Sequence, residues 1–256
     1  MATPIFLHGK NTRVFLANPQ ANTNYDISQF FNDVSVAKQI EATETTSFLN
    51  GGVKTYIRGI KSGAISLAGM YEGSASGIDA ILTEAINNDG DDAVLVFPDS
   101  ATATSTSFTD ARCYMARGIE TKYDLKSPVS GVVAIDTEIQ GDGGVWSGKG
   151  QYIPSTVATG AGTLTTSTTD NLTSSANGGL LILGCLTLTG TSPTISISFQ
   201  HSSDGTTWVT PSGATLGAVG TTVLILTGTI YRYTRLTYTL GGTSPTANIY
   251  FGFARY

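Results

Sequence analysis

The chain has 256 residues, a net charge of −5, 30 glycines and only 13% charged residues. So sparse and acidic a charge complement argues against electrostatic gripping of nucleic acid or of an anionic membrane surface, and no apolar run reaches the ~18 residues of a membrane span. Abundant Gly, Ser and Thr favour strands and turns over helices, and the length suits two domains or one large all-β domain.

The first residues, "MATPIFLHGKNTRVFL", lack the basic segment and apolar core of a secretory signal, so the chain is expected to be soluble and to fold where it is made. Over residues 34–42 the apolar residues alternate: Val34, Val36, Ile40 and Ala42 share one parity, with Lys38 as the exception. That pattern predicts a strand. The alternation then stops. Glu44, Thr45, Thr46 and Ser47 follow, then Phe48 and Leu49, then a basic stretch with Lys54, Tyr56, Arg58 and Lys61. Residues 43–58 have no buried stripe of their own and are predicted to form a long extended loop.

Strand pattern returns in "SGAISLAG", with Ile65 and Leu67 on one face. In "SASGIDAILTEAINNDG", Ile78, Ile81, Leu82, Ala85 and Ile86 recur at helical spacing, which predicts one amphipathic helix. Ser76 and Asp79 resemble a capping box, and residues 87–90 supply the stop. "DDAVLVFP" is a short apolar strand; "DARCYMARGIETKYD" puts Cys113, Met115 and Ile119 on one face. In "SGVVAIDTEIQ", Val133, Ile135 and Ile139 face a core, and Asp136 and Glu138 point the other way.

Composition shifts near Pro154. Residues 1–155 carry 11 Lys/Arg and 17 Asp/Glu; beyond them the charges are Arg232, Arg235, Arg255, Asp170 and Asp204 alone. The expected organisation is a domain over 1–154, a Ser/Thr/Gly-rich linker with a weak first strand over 155–178, and a C-terminal β-sandwich over 179–256. "TISISFQ" alternates with Ile195, Ile197 and Phe199 inward. "LTLTGTSPTISISF" and "LTYTLGGTSPTANIYF" echo each other. Each reads as strand, Gly-Thr-Ser-Pro-Thr turn, strand, because proline cannot sit inside a central strand. The fold class is thus mainly β: an N-terminal sandwich or barrel-forming domain with one helix, then a small sandwich.

No constellation of catalytic residues stands out, and no cofactor or metal site. "GDGGVWSGKG" matches the G-x4-GK frame of a phosphate loop, but Gly150 replaces the expected Ser/Thr and an extended segment follows where a helix is needed. "NNDGDD" does not fit a calcium loop. His8 and His201 have no neighbouring His or Cys. Cys113 and Cys185 read as free, buried thiols, with a disulfide between them as the alternative.

Taken in order, "FFNDVSVAKQIEATETTSF", a loop, "KTYIRGIKSGAISLAGMYEG" and the helix "SGIDAILTEAI" resemble the major tail tube proteins of long-tailed, siphovirus-like phages. The matching pieces are Glu44 to Phe48, Lys54 to Gly59, and Ser66 to Gly69, with Arg58 where family members often carry proline. The likeness covers about residues 5–153 and rests on order and spacing. It implies a structural virion protein that is not an enzyme. Such subunits form rings, usually hexameric, which stack into a tube whose continuous inner barrel passes double-stranded DNA without binding it specifically. It implies assembly in the host cytoplasm, residence in the virion tail, and tape-measure and terminator proteins as partners. The loop, with Glu44, Thr45, Thr46, Phe48, Leu49, Lys54, Tyr56 and Arg58, becomes an inter-subunit element, and Asp136 and Glu138 become candidates to line the lumen. The C-terminal sandwich becomes a decoration on the exterior of the tube.

A competing reading is a carbohydrate-binding or adhesin-like β-sandwich, recognising a host-surface glycan through a groove lined by Trp208, Tyr231 or Tyr233. In "GTIYRYTRLTY" aromatic and basic residues interleave, as such a surface requires.

Overall fold

A computed structural model describes residues 9–46, 53–87, 90–99, 112–166 and 168–256. Among these residues the chain is mainly β, all strand pairing is antiparallel, and there is one α-helix. In chain order the elements are β1 (Arg13–Asn18), β2 (Thr23–Asp26), β3 (Phe31–Glu44), β4 (Tyr56–Met70), α1 (Ile78–Ile86), β5 (Asp92–Phe97), β6 (Arg112–Lys126), β7 (Ala134–Gly141), β8 (Trp146–Ile153), β9 (Gly162–Thr165), β10 (Thr169–Asp170), β11 (Gly179–Ser202), β12 (Thr215–Leu216), β13 (Gly220–Leu226) and β14 (Tyr233–Arg255).

They form two compact units. One draws on residues 1–29, 91–115 and 146–256, the other on 30–90 and 116–145. The chain therefore divides elsewhere than at the composition shift near 155. β8, before that point, pairs with β14, after it, from Ile153 opposite Ile249 to Lys149 opposite Phe253. Composition reports local charge and polarity, whereas compactness follows from which distant strands pair.

In the first unit the strand order is β12-β11-β14-β8-β6-β5-β1-β2, with β13 also on β11 and β9 and β10 on β14. From the far end of this order β2 meets β11 and β13. Asn24 on β2 donates its side-chain amide to the carbonyls of Cys185 (3.3 Å) and Gly220 (2.7 Å), and the Thr221 N–H donates to Asn22 Oδ1 (3.0 Å). A sheet tied back on itself in this way is rolled toward a barrel and hides its edges. Phe15, Leu95, Phe97, Met115, Leu180, Ile182 and Tyr250 belong to one buried cluster. Phe15 and Tyr250 stack with ring centroids 4.4 Å apart. The alternate residues of β11 and β14, including Leu181, Leu183, Phe251 and Phe253, join a second cluster with Ile195, Ile197, Phe199 and Leu236. These strand halves are buried on both faces, which explains the unbroken apolar run "GLLILGC".

The two Gly-Thr-Ser-Pro-Thr segments are not hairpin turns. β11 and β14 run through them and pair with each other on both sides, Thr189 opposite Thr246 and Ile195 opposite Leu240. The register shifts at Thr191 and Thr194 mark bulges, where a strand accepts proline and bends. Each segment carries a glycine and a serine at positive φ: Gly190 and Ser192, Gly242 and Ser244. The repeat is thus one corner made twice, once in each strand of a folded ribbon. Phe199, which follows the corner in β11, meets Phe253, which follows the corner in β14, with ring centroids 4.6 Å apart.

The second unit is a four-stranded sheet in the order β3-β4-β7-β6. Ile65 opposite Ile139 and Leu67 opposite Thr137 set its buried face. Tyr123, opposite Thr137, shares that face, and its hydroxyl donates to Asp79 of α1. The helix buries Ile78, Ile81, Leu82 and Ala85, of which each large side chain contributes about 1.5–3 kcal/mol. The expected capping box does not form: the N-cap is Gly77, without a side-chain bond, because Asp79 accepts from Tyr123 instead. At the far end the Asn87 amide donates to the Thr83 carbonyl at 2.8 Å.

Candidate functional site

The loop expected over residues 43–58 is largely a β-hairpin. β3 and β4 stay paired outward through Ala42 opposite Arg58, Thr43 opposite Ile57 and Glu44 opposite Tyr56. Beyond the strands the Thr45 N–H donates to the Thr55 carbonyl (2.8 Å), and Lys54 pairs with Glu44 (3.0 Å). The residues are strand formers, Thr, Ile and Tyr, and a ladder needs a hydrogen-bonding partner more than it needs a buried stripe. Phe48 and Leu49 lie outside the described residues, as does His8. A bulge between Ile40 and Ala42 sets Glu41 against Gly59, where a Cβ would lie 2.8 Å from that of Glu41.

What sets this hairpin apart is its exposed apolar surface. Tyr56 is 57% exposed, Ile57 61% and Ile60 75%, with Ile40 and Val53 also exposed. Five large apolar side chains on one two-stranded arm are an interaction surface or an aggregation hazard.

The open face of the second unit's sheet is polar. Asp136 and Glu138 leave β7 on the side opposite Ile135 and Ile139, and both are half-buried. Lys122 on β6 stands opposite Glu138, and Asp124 stands opposite Asp136. Lys126 bonds Asp136 and holds its carboxyl below the usual carboxylate range. Lys122 pairs with Asp124 at 3.1 Å, which raises the lysine's pKa. Ser66 donates to Glu138 at 3.2 Å. Asp33, Ser35, Ser66, Lys122, Asp136 and Glu138 line a shallow cavity of about 220 Å³. Sequence reasoning missed the lysines, although the signal was present: in "ETKYDLK" the residues Lys122, Asp124 and Lys126 recur with period two, so they share one strand face.

The aromatic residues of the glycan reading are engaged within the protein. The Arg235 guanidinium lies 3.9 Å over the Trp208 ring, and Arg235 also bonds Gln200 at 2.8 Å. Tyr231 packs on His201 with centroids 4.7 Å apart, and its N–H donates to His201 Nδ1 (3.1 Å). Burial depresses the pKa of His201, which favours the neutral imidazole that accepts this bond. Asp204, near His201 in sequence, caps its own turn by accepting from the N–H groups of Thr206 and Thr207, both at 2.8 Å. Cys113 and Cys185 are free and buried, and burial pushes the Cys185 thiol up to about 11. The glycine-rich "GDGGVWSGKG" enters strand β8, with no helix after it. No group of three or more metal-ligating side chains occurs among the described residues.

No protein-family model matches the sequence, and no curated protein does. Solved structures align with parts of the chain. The tail of an empty gene transfer agent particle, of C6 symmetry, aligns at 16% identity and TM-score 0.43, over 55% of this chain and 97% of that one. The SPP1 tail tube aligns at 12% identity and TM-score 0.40, over 53% and 75%. The SPP1 Dit protein, of the hub adsorption apparatus, aligns at 10% identity and TM-score 0.34, over 93% and 98%. All three TM-scores are below 0.5.

Proposed function

We propose that this protein is a structural subunit of a phage-type tail tube. The observation that carries the reading is the β3–β4 hairpin, whose exposed Tyr56, Ile57 and Ile60 would be covered by a neighbouring copy. The order of elements resembles that of tail tube proteins, in which the corresponding segment is inter-subunit, and this supports the reading. On this reading the subunits form stacked rings of six, and no step of catalysis is involved. The open sheet face with Asp33, Asp124, Asp136 and Glu138 against Lys122 and Lys126 lines the lumen. Its carboxylate excess keeps DNA phosphates at a distance, and its lysines are already held by carboxylates. Tape-measure and terminator proteins are the expected partners, the virion tail is the expected location, and segments of 155–256 face the tube exterior.

Electron microscopy of the purified full chain tests this. Rings or tubes are expected, and the double variant Ile57→Ser with Ile60→Ser should stay folded by circular dichroism yet remain monomeric. Wild-type protein that stays monomeric at every concentration, or a variant that assembles as well as wild type, would sink the proposal.

A further inference from the structure

A separate cavity of about 420 Å³ lies within the first unit. Its walls carry three cations, Arg112, Lys149 and Arg255, and three hydroxyls, Ser147, Thr169 and Thr234; among the described residues that line it there is no carboxylate. In a protein of net charge −5 this is an unusual concentration of positive charge.

Strand register explains the convergence. Arg112 on β6 and Lys149 on β8 are cross-strand partners, so both side chains leave the same face of the sheet. Lys149 is also opposite Phe253 on β14, and Arg255, two residues on, returns to that face. Like charges placed directly opposite each other destabilise a strand pair. Arg255 is held by neutral groups: it donates to the carbonyls of Asn171 (3.4 Å) and Thr173 (2.7 Å), which orient the guanidinium without neutralising it. Asp170 is felt electrostatically by Lys149, but its two oxygens accept from Arg232 at 2.7 and 2.6 Å. The Thr169 hydroxyl is buried with no hydrogen-bond partner, in a residue only 1% exposed. A buried hydroxyl in that condition is costly unless a ligand supplies the partner.

We infer that this cavity binds a phosphate monoester. Three cations and several hydroxyls exceed what a carboxylate, with one charge and two oxygens, can satisfy; a phosphate monoester brings up to two charges and three terminal oxygens. The volume falls within the ~300–1,000 Å³ of small-molecule sites, so the ester's carbon part has room beside the phosphate. The site is independent of the hairpin, and its failure leaves the tail reading untouched.

Calorimetric titration of the full chain with glycerol 3-phosphate at constant ionic strength provides the test, with inorganic phosphate and acetate alongside. Saturable one-to-one binding is expected, tighter for the ester than for inorganic phosphate and weakest for acetate. Arg112→Gln with Lys149→Gln should weaken ester binding at least about tenfold, or ~1.4 kcal/mol. The single change Arg112→Glu, at an exposed position, should weaken binding as well and serves if the double variant does not fold. Absence of saturable binding by the wild type, acetate binding as tightly as the ester, inorganic phosphate binding more tightly than the ester, or unchanged binding by the variants would overturn the assignment.

Discussion

Gly184 shows how a single residue can be decided by its partner across the sheet. It lies on β11 opposite Tyr250 of β14, whose ring covers the glycine. A Cβ at position 184 would sit 2.1 Å from ring atoms of Tyr250. The ring cannot withdraw, because its other face is stacked on Phe15. Gly184→Ala should therefore destabilise the protein by about 1–3 kcal/mol or more, the usual cost of overpacking a core. At ~2–4 °C per kcal/mol for a chain of this size class, the melting temperature should fall by several degrees. Gly217→Ala, with nothing near its would-be Cβ, is the control and should melt as wild type does. Calorimetry of the two variants side by side checks this, and equal melting temperatures would refute the packing argument. In the sequence Gly184 is one of 30 glycines and carries no mark of its role. By contrast, the outward direction of Asp136 and Glu138 was legible, since period-two alternation in "VVAIDTEIQ" orients every side chain once the strand is recognised.

At the scale of elements, helix α1 was legible because its apolar stripe has a period that no strand shares, and its bounds follow the pattern closely. The hairpin and the corner were not. Residues 43–58 lack a buried face, so the periodicity that betrays a strand is missing, although the ladder itself forms. The Gly-Thr-Ser-Pro-Thr segments carry every local signal of a turn, and the same glycine and proline that would close a hairpin here make paired bulges in continuous strands. Gly242 has φ +99°, and a Cβ there would lie 2.6 Å from the Ser192 carbonyl oxygen across the corner. Gly242→Ala should cost more than about 1 kcal/mol, from left-handed backbone strain and the clash together. Ser244→Gly should be tolerated, since Ser244 already holds φ +48°. Urea denaturation of both variants separates the cases; an unperturbed Gly242→Ala midpoint would show that the corner can relax.

For the whole molecule the decisive feature is that the chain's two ends share one core. Phe15 and Ala17 come from the start of the chain, and Leu180, Ile182, Tyr250 and Ala254 come from beyond residue 155. A fragment of residues 1–154 would keep β8 without β14 and expose Tyr152, Phe15 and Phe97. It should be aggregated or lack a cooperative unfolding transition, whereas the full chain should unfold cooperatively. A soluble fragment with a sharp thermal transition would show that the residues before 155 fold alone after all.

The sequence by itself determined what depends on neighbours a few residues away. The dominance of strands, the helix and its buried stripe, and the inward and outward faces of β7 all follow from local period and composition. Only the tertiary structure decided which strands meet. It set β8 against β14, tied β2 to β11 and β13, and brought Arg112, Lys149 and Arg255 to one cavity from positions up to 143 residues apart. The physical reason is that backbone hydrogen bonds are alike in every strand, so a strand's own residues say that it must pair but not with which partner. That choice is made by the long-range burial that pairing permits, and in this chain the burial joins the first strand to the last.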